Sequence, residues 1–228
     1  MLALQKISAA PGLELREVIE PAALQRNEVL IEIAATGVCG TDLHIDHWTK
    51  GYENMAPVMP VTIGHEFSGR VMAVGPDARG LRVGERVTLL PSVTCGTCVF
   101  CVRGDFDACD TRTGIGVTRA GAFARYTSAP DRNCVKVPAS VSDELAALSE
   151  PLSVGAQAVL ATAQVKPGQR VLVLGPGTIG QTLAIWSRRA GADVTVAGRD
   201  DAHRFQVMQA LGFSDLHDVG SHSLTEVF

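Results

Sequence analysis

The sequence predicts an α/β plus β protein: a β-rich domain of barrel-like or sandwich type, then the first half of a Rossmann doubly wound parallel sheet. Three observations carry this. Residues 1–137 hold many short apolar-alternating runs separated by turn residues. After Pro138 the pattern becomes helical. An apolar run at residues 170–174 then leads straight into Gly175-Pro176-Gly177-Thr178-Ile179-Gly180, a strand, glycine turn and helix start in the order that dinucleotide binding requires.

Taken in order, residues 13–18 and 28–33 alternate with period two, the mark of half-buried strands. Further strands are expected within 61–74, 86–90 and 123–137, with turns at 75–77, 82–85 and 129–131. Residues 143–148 should be helical, opened by a capping-box-like spacing from Ser140. Pro151 should stop that helix, hold Glu150 extended, and start a second helix running to Ala163. Beyond the glycine turn, a helix to Ala190, a strand at 194–197, a helix at 201–211 and a third strand within 213–219 complete the pattern. The expected domains are 1–153 and 154–228.

Composition narrows the function classes. At 46% hydrophobic and 19% charged residues, the 228-residue chain can bury a core and is not disordered. A net charge of −4 with no Lys/Arg run gives no footprint for nucleic acid. No apolar stretch approaches the ~18–20 residues that span a bilayer, and the start lacks the apolar segment of a signal peptide. The expected location is the cytoplasm, where six cysteines point to metal rather than disulfides.

Cys95, Cys98, Cys101 and Cys109 give the strongest signal. Four thiolates this close in sequence can wrap one ion tetrahedrally, closing the site as structural zinc sites are closed. An iron–sulfur cluster uses the same ligand type. A second set, Cys39, His65 and Glu150 with Glu66 beside it, offers the three side-chain types of catalytic zinc sites. Gly175, Gly177, Thr178, Ile179 and Gly180 are expected to cradle a pyrophosphate at a helix N-terminus. The position where an acidic residue would bind the ribose of NAD falls on Gly198, with Arg199 next, which favours the 2′-phosphate of NADP; Asp200 keeps NAD open. Cys134 reads as a core residue, and His203, His217 and His222 carry no spacing signal. His47 and Trp48 could line a pocket, or Trp48 could pack under a loop.

The segments 39–44, 64–66, the four-cysteine loop, 150–155 and 175–180 together resemble the zinc-dependent medium-chain alcohol dehydrogenases, nearest their sorbitol and threonine dehydrogenase branches. The resemblance implies a GroES-like β domain before the Rossmann domain. It implies a catalytic zinc on Cys39, His65 and Glu150, with Glu66 as an alternating or water-mediated ligand, and a structural zinc on the four cysteines. It implies that Asp42 orients His65 and that Thr41 and His44 relay the proton of an alcohol or polyol whose hydride passes to NAD(P). For a full-length chain a homodimer or homotetramer is expected, and the charge and hydropathy already argue against nucleic-acid and membrane partners.

From Arg170 there is room for about two βαβ units of ~30 residues, three strands rather than six. The expectation is a chain shortened at its C-terminal end, and the alternative to an active dehydrogenase is a zinc-binding remnant without turnover.

Overall fold

A computed structural model describes residues 1–21 and 24–220; His222 lies outside them. The described residues fall into two compact units, one ending at Glu150 and the other beginning at Pro151.

The first unit opens with β1 (Leu2–Lys6), β2 (Glu14–Glu17) and β3 (Glu28–Thr36), followed by α1 (Gly40–Asp46). Then come β4 (Val61–Thr62), β5 (Phe67–Val74), β6 (Arg86–Leu89), β7 (Ser92–Val93) and α2 (Val99–Arg103). β8 (Thr113–Gly114), β9 (Tyr126–Pro130), β10 (Cys134–Lys136) and α3 (Asp143–Ala147) complete it. The strands form open sheets rather than a closed barrel: a five-stranded one ordered β10-β6-β5-β3-β9, a three-stranded one ordered β2-β1-β4, and the pair β7-β8. The alternation seen in the sequence sets the core, where Val29 and Ile31 of β3 meet Phe67, Val71 and Val87. Cys134 packs against that core, and burial pushes its thiol up to about 12.

Several expected elements are redrawn. The run 61–74 breaks into β4 and β5 around Gly64-His65-Glu66. Gly64 takes φ +95°, and a Cβ there would stand 2.6 Å from the Phe123 ring. The break removes His65 and Glu66 from the ladder and frees them for a site. The run 123–137 divides at a 3-10 turn, Asp131–Asn133. Residues 40–46, not among the expected helices, form one because Cys39 caps it and the Asp42 carboxylate accepts the Cys39 N–H at 2.8 Å. Trp48 packs on Ile45, Met55, Val61 and Ile63, so it supports a loop.

Pro151 does not stop a helix. α4 (Ser149–Ala156) starts two residues before it and continues as a π-helical turn over Gln157–Thr162. In the first turn a missing N–H costs nothing, because those donors lack helical partners anyway. The break lies at Leu148, and Glu150 is helical.

The second unit continues with β11 (Arg170–Leu174), α5 (Thr178–Arg189), β12 (Asp193–Gly198), α6 (Ala202–Ala210) and β13 (Leu216–Asp218). The strands are parallel in the order β11-β12-β13. Val173, Ala184, Val196, Met208 and Phe213 form its core. No helix among the described residues is long and apolar enough to cross a membrane.

Candidate metal centre

Among the described residues, two side-chain groups, both in the first unit, have donor atoms close enough for one ion: Cys39, His65 and Glu66, and Cys95, Cys98, Cys101 and Cys109. Within each group the donor atoms lie within 4.8 Å of one another.

The mixed group is built from two places. Cys39 precedes α1, while His65 and Glu66 sit in the break between β4 and β5. Gly37 lets them meet: a Cβ there would lie 2.4 Å from Glu66 Oε2, and its N–H donates to the Glu66 carbonyl at 2.7 Å. His65 and Glu66 are both buried. Glu150 stands outside this close group, but its charge acts on His65.

The electrostatics favour a positive charge. Burial alone would lower the His65 pKa, yet Cys39 beside it and the charges of Asp42 and Glu150 leave it raised. Burial raises the Glu150 pKa, Glu66 adds to the rise, and His65 opposes it. Asp42 Oδ1 and His65 Nδ1 stand 3.8 Å apart, too far for a hydrogen bond, and both are buried without a hydrogen-bond partner among the described residues. Such orphaned atoms cost about 1–3 kcal/mol each. A sulfur, nitrogen and oxygen donor set around a pocket that attracts cations fits zinc.

Thr41 and His65 line one cleft of about 370 Å³ together with Asn54, Ser92, Arg112 and Thr118. Asn54 lies in a 3-10 helix, Glu53–Val58, and the other three in loops or at a strand end; no motif in the sequence singles them out. His44 is exposed on α1, its ring 6.4 Å from that of Tyr52 and nearly parallel to it.

The four-cysteine group is held by its own backbone. Cys95 Sγ accepts N–H bonds from Thr97 at 3.4 Å and Cys98 at 3.2 Å, drawing its thiol down to about 5. Cys98 Sγ accepts from Cys101 N and Cys109 Sγ from Cys95 N. Burial pushes Cys101 up to about 11. The Cys95 and Cys101 sulfurs are 3.8 Å apart, and all six cysteines are free thiols. Packed thiolates repel one another unless a cation sits among them, so this donor set also fits a metal.

In the second unit, Gly175 takes φ +90° and Gly177 caps α5. A Cβ on Gly180 would stand 1.8 Å from the Gly175 carbonyl oxygen, so only glycine lets α5 come this near the turn. Thr178 and Ile179 form the exposed first turn of α5, where N–H groups are available to a phosphate. β12 ends at Gly198, and a Cβ there would meet Pro176 at 2.6 Å and Asp201 Oδ2 at 2.7 Å. Arg199 follows it, exposed, and Asp200 is exposed with φ +55°.

The profile of the family described as alcohol dehydrogenase GroES-like domain matches residues 25–139. An L-threonine 3-dehydrogenase of Photorhabdus laumondii is 37% identical over 227 residues; the match covers all of this chain and 65% of that relative. A protein described as a zinc-binding dehydrogenase from Sinorhizobium meliloti, bound to NADP, superposes with a TM-score of 0.87 at 30% identity, over 99% of this chain and 64% of that one. A protein described as a short chain alcohol dehydrogenase from Escherichia coli, complexed with NADH, gives a TM-score of 0.86 at 32% identity, over 100% and 65% of the two chains. The chain therefore spans about two-thirds, or slightly less, of the length of these proteins.

Proposed function

Since the chain belongs to the zinc-dependent medium-chain alcohol dehydrogenase family, we propose that it serves an NAD(P)-dependent dehydrogenation of a secondary alcohol or polyol to a ketone. The observation that carries this reading is the meeting of Cys39, His65 and Glu66 beside a cleft that Thr41 also lines.

Cys39, His65 and Glu66 would hold the catalytic zinc, with Glu150, whose charge acts on His65 and Glu66, as the alternative carboxylate. The four cysteines would hold a structural zinc. Zinc bound at the first group supplies a Lewis acid for the alcohol oxygen. NAD(P) supplies the hydride acceptor. The chain's own residues do the rest. The cleft admits a small polar molecule, and Thr41 Oγ1 would accept the alcohol proton as it donates its own hydroxyl proton onward. His44, three residues on and so on the same helical face, would take the proton that Thr41 releases and give one up to solvent. The Asp42 carboxylate, 3.8 Å from His65 Nδ1, would favour a cation beside that ring by its charge. The glycine turn and the first turn of α5 hold the pyrophosphate.

The cofactor reading leans to NADP. The collision that a Cβ would make at Gly198 leaves no room for a ribose-binding carboxylate there, and the next side chain is the exposed cation Arg199. The protein would work in the cytoplasm, in keeping with six free thiols, and a full-length form would be a homodimer or homotetramer.

The test is turnover of a panel of secondary alcohols and polyols with NADP+ and NAD+, alongside metal analysis. Alcohol-dependent reduction of the nicotinamide with bound zinc is expected; zinc without turnover would sink the reading. Arg199→Asp should lower the affinity for NADPH relative to NADH by about tenfold, the scale of one lost charge-assisted contact. An unchanged ratio in equilibrium titration would refute the NADP assignment.

A further inference from the structure

We propose that Lys6 is a positioning residue for the metal centre, a strut that fixes the Cys39-bearing helix against the strand that delivers His65. The inference rests on the reading of Cys39, His65 and Glu66 as a metal site.

Lys6 ends β1, and its side chain is fully buried. Its Nζ donates to the carbonyls of Ala10 at 2.5 Å, Gly12 at 3.0 Å and Asp46 at 3.2 Å, and lies 5.3 Å from the centre of the Trp48 ring. An ammonium has three donors, and all three are used. Burying a cation is costly unless it is fully partnered, so an apolar residue would be the cheaper filler if packing were the only task.

The partners indicate the task. Asp46 is the last residue of α1, where helix carbonyls lack partners and a cation is favoured. Cys39 caps the other end of this helix, with Thr41 and Asp42 in its first turn. On the other side, Gln5 and Lys6 pair with Thr62 and Val61 of β4, and Ile63 N donates to Leu4 O. The chain then enters Gly64-His65-Glu66. One ammonium thus joins the strand that leads to two metal donors and the far end of the helix that follows the third. The Gly12 N–H, which donates to the same Asp46 carbonyl at 2.8 Å, reports on the joint.

The test is cobalt titration of the full chain, followed by visible absorption. Cobalt at the four cysteines and cobalt at the mixed site differ in spectrum, and Cys39→Ser identifies the mixed-site band. Lys6→Met is expected to weaken cobalt binding at the mixed site by about tenfold or more, the scale for residues that orient ligands. The four-cysteine site should change by less than about twofold. Parallel losses at both sites, or no loss at the mixed site, would overturn the proposal.

Coupling is reciprocal, so the unaltered chain offers a second measurement that does not depend on the variant folding. Cobalt loading should slow deuterium exchange at the Gly12 amide, and an unchanged rate counts against the strut. A wild-type spectrum that Cys39→Ser leaves unaltered would remove the metal reading and the strut with it. Cobalt at the mixed site with no response to Lys6→Met removes the strut alone.

Discussion

The two metal-type groups in the first unit are built by opposite means. The four cysteines come from one loop, use one kind of donor, and are wrapped by N–H groups of the same loop. The mixed group joins a helix cap to a strand break, uses three kinds of donor, and borders a cleft. A closed, uniform set has its coordination filled by protein and can only stabilise. An open, mixed set leaves an approach for a ligand and keeps unsatisfied atoms, Asp42 Oδ1 and His65 Nδ1, in place. On the proposed reading, the first group serves folding and the second chemistry.

The sharpest way to break this contrast is to remove one thiol from each group. Cys109→Ser should cost about 4 kcal/mol or more, because losing a structural metal is among the few single changes of that size. Its melting temperature should fall by about 10 °C or more. Cys39→Ser should cost no more than about 1 kcal/mol while abolishing turnover. Calorimetry and metal analysis of the two variants decide the matter, and equal melting temperatures would erase the distinction.

The contrast also marks what the sequence disclosed. The four cysteines were legible because local spacing alone brings them together. The glycine turn was legible because its strand and helix context is contiguous. The mixed group was legible only as residue types, since its geometry depends on Gly37 and Gly64 permitting approaches that no local pattern records. Pro151 misled because a proline in a first helical turn resembles one that ends a helix. Residues 40–46 concealed a helix because the cap is a cysteine rather than Ser or Thr, although Asp42 three residues on carried half of the capping signal. Lys6 was invisible, because burial of a lysine runs against every expectation from composition.

A second test asks which carboxylate completes the mixed group. Glu66 is among the close donors and Glu150 is a neighbour whose charge reaches His65. Glu66→Gln should weaken zinc binding by about 100-fold or more, and Glu150→Gln by about tenfold. Competition with a chelator of known affinity measures both. The reverse order would make Glu150 the ligand and Glu66 the neighbour.

The smallest effect is expected from Asp42, which does two jobs through its two oxygens. Oδ2 accepts the Cys39 N–H at 2.8 Å and caps α1, while Oδ1 faces His65 Nδ1 at 3.8 Å. Asp42→Asn keeps an oxygen for the cap and removes the charge, so stability should hold within about 0.5 kcal/mol. Zinc affinity at the mixed site should still fall, by about tenfold, because the field that favours a cation beside His65 is weaker. Asp42→Leu removes the cap as well and should add a stability loss of about 1 kcal/mol. Measured together, the two variants separate cap from charge: unchanged zinc affinity in Asp42→Asn would leave Asp42 as a helix cap only, and the orphaned pair without a role in holding metal.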